Sequence, residues 1–398
     1  MTAKAVTFGD LVLQFTSTFD LLWNDKKSGG KYNGGYWKPV PPAGFHALGS
    51  LGLSNYDDPN GKVGVLCVKE TRSGSGALAR PLSYERIWKD SGSGARKNGS
   101  CWRPVPPAGY VALGDVFQSG HNDAPSLDDV MCVRQDLTYD GKVGDRIWTD
   151  KGTGSDKDFG SWEVITPDAF LDSERGLFAP NTFIGRASHD KPDAGDVVHV
   201  LNLLIPAHQV PEPEPPELTS RARPPSETTP QIDRVITVPY TAIQDDSKDT
   251  AWKLENSPFY EVEREINYSL LLFDDNRTST TQVQKDTIAV GVTKSQSETF
   301  SQKTGISVTA ESGVSFIANG KVSATVTVEL GWSTTTSVSQ FESRTIERTL
   351  ATPPNTSGAL WVVHYKLYAV REDGTRFSQP LTFDVSSFTH SQYPPVSE

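Results

Sequence analysis

The chain has 398 residues, enough for two or three domains, and its 36% hydrophobic and 22% charged content with 33 Gly and 27 Pro fits an ordered, loop-rich β protein. That composition argues against both a helical bundle and a disordered chain. Asp and Glu (49) exceed Lys and Arg (38), a formal charge of −11, so overall charge gives no support to a phosphate-tracking surface and no nucleic-acid partner is expected.

Three cysteines, without a CxxC pair or a His-rich cluster, argue against a disulfide framework and a structural zinc site, so no metal and no cofactor are expected. The amino terminus MTAKAVTFGDLVLQF lacks the basic start and apolar run of a secretory signal, and no stretch approaches the roughly 18 apolar residues of a membrane-spanning helix. The expectation is a soluble form, a monomer or small oligomer, secreted or released without a recognisable signal peptide. A β-barrel route into a membrane stays open.

The first half is a threefold repeat. Its copies read FDLLWNDKKSGGKYNGGYWKPVPPAGF from Phe19, YERIWKDSGSGARKNGSCWRPVPPAGY from Tyr84 and, eroded, GDRIWTDKGTGSDKDFGSWEVITPDAF from Gly144. Each has a Trp, an Asp two positions on, a Gly-rich loop and a second Trp 14 positions after the first: Trp23/Trp37, Trp88/Trp102 and Trp148/Trp162. Each also ends in a short apolar strand, around Cys67, Cys132 and His199, which makes two of the cysteines equivalent and predicts both to be buried and free. Three small Gly- and Pro-punctuated units predict three sheets packed about a pseudo-threefold axis, a β-prism-like fold. One unit could not bury its tryptophans alone, whereas three can share a core. The six Trp are expected in that core, with an exposed sugar-stacking surface as the other reading.

The run IWxDxGSG followed by WxPxPPxGYxALGxV resembles the vacuolar protein sorting-associated protein sixty-two family over about residues 7–205. The resemblance implies a β-prism-like fold and names no ligand. Prism folds often bind sugars in loops at strand ends. The loops holding Asp25, Asp90 with Ser93, and Asp150 with Thr153 are therefore candidate receptor or glycan loops, while Asp and Gly at such positions also simply make turns.

Residues 206–230 carry 8 prolines in 25 positions, which predicts an extended semi-rigid linker between a recognition domain at 1–205 and a module at 231–398. Beyond it come long β runs, EVEREINYSLLLF and ALWVVHYKLYAV, and a Ser/Thr-rich stretch. Within this, a hairpin at about 300–338 alternates with period two. Ile306, Val308, Ala310, Val314 and Phe316 share a face on the first arm. Val322, Ala324, Val326, Val328, Leu330 and Trp332 do so on the second, with Ser312 the one interruption. Keeping the faces together requires a three-residue turn, Ala318-Asn319-Gly320, with Gly320 in the left-handed position. Each arm is long enough for a tilted strand to cross a bilayer.

Ser/Thr-rich strands flanking an amphipathic hairpin, followed by the return strand and turn RTIERTLATPPNT, resemble the central module of the aerolysin-like β-pore-forming toxins over about residues 231–398. The resemblance implies an elongated β-sheet module in an all-β chain. It implies a toxin that binds a receptor on the target-cell membrane, assembles a homo-oligomeric ring and inserts its hairpins as a transmembrane barrel. Val314, Phe316 and Ile317 would lead, and Glu311 and Glu329 would face the lumen. Insects, nematodes and competing microbes are all open as targets. No HExxH, GxSxG or phosphate-loop motif is present, so no catalytic residue is expected and the protein is read as a non-enzyme. The alternative is a glycan-binding or structural β protein that never enters a membrane.

Overall fold

The computed structural model describes residues 4–167, 174–193, 197–309, 313–317, 324–328 and 343–395. The all-β expectation holds: strands dominate, and the α-helices among the described residues are Thr250–Asn256 and Lys294–Thr304. The chain divides into two compact units, the first comprising residues 1–206, 238–259 and 316–327, the second 207–237, 260–315 and 328–398.

In the first unit each repeat copy builds one antiparallel three-stranded sheet. The strands are Phe19–Asn24, Gly35–Pro39 and Leu51–Leu53 in the first copy, and Ser83–Lys89, Gly99–Val105 and Val116–Ser119 in the second. Lys142–Thr149, Gly160–Ile165 and Phe183–Arg186 make the third. In every copy the register slips just before the first Trp, between Leu21 and Trp23, Arg86 and Trp88, and Arg146 and Trp148. An extra residue at such a bulge re-aims the side chain that follows. Trp23, Trp88 and Trp148 thus converge, with ring centroids 5.6, 5.2 and 5.7 Å apart and every pair edge-to-face. Each such pair contributes about 1 kcal/mol beyond the area it buries.

The 14-residue spacing follows from the register. Trp23 pairs with Tyr36, Trp88 with Cys101 and Trp148 with Ser161, so the second Trp stands one residue past that partner and faces the other side of its sheet. Trp37 accordingly packs in a separate cluster with Phe19, Leu51, Leu53 and Val65. All six tryptophans are buried. The strands that close the copies, Val65–Glu70, Cys132–Arg134 and His199–Leu204, belong to three further sheets, and Cys67, Cys101 and Cys132 are buried free thiols.

The second unit is built on a long antiparallel sheet ordered Ala207–Gln209, Gln231–Pro239, Phe259–Asp275, Ser357–Arg371, Leu381–Tyr393. Its central ladder runs from Tyr260 opposite Arg371 to Asp275 opposite Ser357 with one bulge, between Leu270 and Leu272. Gln282–Val290 and Arg344–Thr352 form a separate two-stranded ribbon. Arg264 is fully buried and donates to both carboxylate oxygens of buried Asp233, with Tyr365 stacked beneath its guanidinium.

Two local expectations differ from the structure. The proline-rich stretch, expected as an extended semi-rigid linker, is docked at several points. Ala207–Gln209 pairs with Arg234–Ile236, Thr228 N donates to Tyr268 O, Leu270 N donates to Ser226 O, and Leu218 is buried. Proline removes only its own N–H, and the residues between prolines keep theirs for the sheet. The Ser/Thr tract before the hairpin is helical over Lys294–Thr304. Thr293 and Gln296 form a reciprocal capping box, and Gly305 ends the helix at φ 73°.

Candidate functional site

The three Gly-rich loops of the first unit meet at one end of the repeat. Their backbones are joined cyclically: Arg96 N donates to Lys26 O (3.1 Å), Asp156 N to Ser91 O (2.9 Å) and Lys31 N to Lys151 O (3.0 Å). The indoles repeat the cycle. Trp23 Nε1 donates to Lys97 O (2.7 Å), Trp88 Nε1 to Lys157 O (2.9 Å) and Trp148 Nε1 to Tyr32 O (3.0 Å), each acceptor lying five residues before the second Trp of its copy. Sequence reasoning placed the tryptophans in a core; the structure adds that each core Trp also ties down a neighbouring loop.

Asp25, Asp90 and Asp150 hold these loops from inside. Asp25 Oδ1 accepts from Gly34 N (2.9 Å), Asp90 Oδ1 from Gly99 N (2.9 Å) and Asp150 Oδ1 from Phe159 N (2.8 Å). Ser93 donates to Asp90, and Ser93 and Thr153 are as buried as the three Asp. These five residues therefore shape the loops without reaching solvent. Each Asp also has a ring partner further along its copy, which sequence reasoning missed: Tyr56 for Asp25 and His121 for Asp90, both at the same spacing, and His189 for Asp150 at a longer one, so residue type and distance are not both kept across the three copies. Burial raises the Tyr56 phenol well above its ordinary range, and the Asp25 hydrogen bond adds to this. Burial likewise raises Asp150, opposed by the Phe159 N–H and by His189.

What the loops present to water is cationic in two copies. Lys26, Lys27, Lys31, Arg96 and Lys97 are exposed. The third loop instead carries Asp156 and Asp158, and there Asp150, Asp158 and His189 offer ligand atoms within 4.8 Å of one another, a donor set with the chemistry to hold a divalent metal. Elsewhere in this unit a cavity of about 640 Å³ is lined by Ile87, Val111, Leu113, Val164, Ile184 and Val198, with Arg103 and Asp115 in its wall. Arg103 is already bidentate to Asp115 and donates to Gly185 O.

The hairpin residues form short strands, Ile306–Thr309, Gly313–Ile317 and Ala324–Val328. Ile306, Val308 and Ala324 are buried. Val314, Phe316 and Ile317 fall on the second of these strands, and Val326 and Val328 on the third. Within the first unit, Ala324, Thr325 and Val326 pair with Phe178, Leu177 and Gly176 of the strand Arg175–Phe178. Ala310, Glu311, Val322, Glu329, Leu330, Trp332 and the turn Ala318, Asn319, Gly320 lie outside the described residues. Among the described residues no helix is long and apolar enough to cross a membrane, which leaves strand-based crossing open.

Residues 1–213 match the family model described as Vacuolar protein sorting-associated protein 62, and residues 234–383 match the one described as Insecticidal Crystal Toxin, P42. Comparison with curated proteins gave no match. Among solved structures, GNIP1Aa from Chromobacterium piscinae is 28% identical over 48% of this chain, with a TM-score of 0.40. This chain spans 37% of that one. Cry35Ab1 is 11% identical, covering 98% of this chain and 91% of its own, with a TM-score of 0.36.

Proposed function

Since the chain belongs to the vacuolar protein sorting-associated protein 62 family and is toxin-like in its second half, we propose that it is a two-part, non-enzymatic pore-forming toxin. The threefold repeat recognises the target-cell surface through its loop end. The hairpin of about residues 300–338 enters the membrane after the chains assemble into a ring.

One observation supports the second step above the rest. The alternating hairpin, whose sequence suits a barrel strand pair, lies against the Arg175–Phe178 strand through Ala324, Thr325 and Val326 among the described residues. A segment that buries Ile306, Val308 and Ala324, yet supplies no residue to the tryptophan core cluster, can leave without unfolding that core. Only a closed barrel satisfies every strand's backbone groups in lipid, so a single hairpin cannot act alone and several identical chains must contribute.

The test is dye release from vesicles and susceptible cells, with the size of the membrane-bound species measured in parallel. Leakage together with a ring-sized oligomer supports the reading. Cell or glycan binding without leakage on any membrane supports instead a glycan-binding β protein, the reading that the buried Ile306, Val308 and Ala324 would favour on their own.

A further inference from the structure

The protein carries a formal charge of −11, yet the segments 24–33 and 89–98 together hold six Lys and Arg against two Asp. Both of those carboxylates, Asp25 and Asp90, are buried and engaged by backbone N–H groups and by Ser28 and Ser93. Neither carboxylate stands at the surface among the exposed cations. Lys26, Lys27, Lys31, Arg96 and Lys97 are exposed, and none is in an ion pair among the described residues. The two loops are fixed side by side by the Arg96 N to Lys26 O hydrogen bond and by the Trp23 indole bound to Lys97 O. The result is a preorganised cationic face on an acidic protein. The third loop, with two Lys against three Asp in 149–158, bounds it on one side.

We propose that this face binds a polyanionic glycan, a polysaccharide bearing sulfate or carboxylate groups on the target-cell surface. The inference rests on reading the loop end as the recognition surface and specifies the chemistry it recognises. Cations outside internal ion pairs, Lys26 with its ammonium 4.9 Å over the Tyr56 ring, attract a polyanion without first breaking such pairs, and that attraction is strongest at low ionic strength. A phospholipid surface fits less well. Peripheral proteins combine basic residues with apolar side chains that enter the headgroup boundary, and these loops present Lys, Ser, Gly and Asn, with Ala95 and Tyr32 half buried.

The experiment uses the full chain on immobilised heparin, with dextran as the neutral polysaccharide and phosphatidylserine-containing vesicles as the lipid arm. Lys26→Glu/Arg96→Glu reverses one cation on each loop, and Lys62→Glu/Arg72→Glu makes the same charge change at exposed positions outside the loops. Thermal melts establish that both variants fold. The expected result is salt-sensitive binding to heparin, absent on dextran, weakened about tenfold or more in the loop variant and little changed in the control. Equal weakening in both variants, binding to the vesicles in preference to heparin, or no binding to heparin would overturn the proposal. Cell binding measured alongside separates the two readings: if it persists without heparin binding, only the polyanion assignment falls.

Discussion

At the scale of single residues, the repeat is governed by what fits around three indoles. Gly34 precedes the second Trp of its copy by three positions, and a Cβ there would lie 2.5 Å from Trp148; Gly99 is equivalent and would drive a Cβ into Trp23. The third copy has Phe159 at this position, stacked on Trp88 at 4.9 Å. Gly34→Ala and Gly99→Ala are each expected to destabilise by about 1–3 kcal/mol through overpacking, read as a lowered melting temperature. The thiols give a second check. Burial pushes Cys67 and Cys132 up to about 12 and raises Cys101 well above its ordinary value, so all three stay protonated and shielded near neutral pH. The native protein should not react with a thiol reagent, and the denatured protein should titrate three equivalents. Fast labelling of the native chain would contradict the packing described. The burial of these residues was legible from the repeat itself. That Asp25, Asp90 and Asp150 face inward was not, because Asp followed by Gly reads equally as an exposed loop and as a loop closed on its own carboxylate.

At the scale of elements, the second unit depends on pairs that a linear pattern does not reveal. Arg264 and Asp233 stand on neighbouring strands, both fully desolvated, and their alternation reads as ordinary strand sequence. Asp233→Ala removes the buried partner of Arg264 and leaves the guanidinium facing the half-exposed Glu212 at 3.4 Å, so it is expected to cost about 3 kcal/mol, measured by denaturant unfolding. Replacing both partners together should cost less than that single change. The helix Lys294–Thr304 was hidden for a different reason. Its Ser/Thr-rich composition reads as strand or loop, while its signals are positional: a capping box at Thr293 and a left-handed glycine at Gly305. Thr293→Ala should weaken the helix by about 1 kcal/mol. The period-two alternation of 306–332 was legible, but strand pairing is long-range and is not written in that period. Nothing in the hairpin's own sequence points to the Arg175–Phe178 strand.

At the scale of the whole molecule, the two halves make separable demands. Under the proposed function, recognition needs only the loop end of the tryptophan repeat, whereas membrane entry needs the hairpin to exchange its partners. Variants of the loops should therefore change binding and leave intrinsic lysis per bound chain unaltered, and variants of the hairpin should do the reverse. The most direct measurement is leakage by a Leu177→Cys/Thr325→Cys variant, which places cysteines at directly opposed positions of the ladder that residues 324–326 form with residues 176–178. The native thiols are buried and do not compete for the oxidant. With folding and cell binding shown to match the wild type, the account predicts that the oxidised variant binds without releasing dye and that reduction restores release. Leakage by the oxidised, fully cross-linked variant at the rate of the reduced one would contradict the account, since the hairpin would then be lysing membranes without leaving its strand.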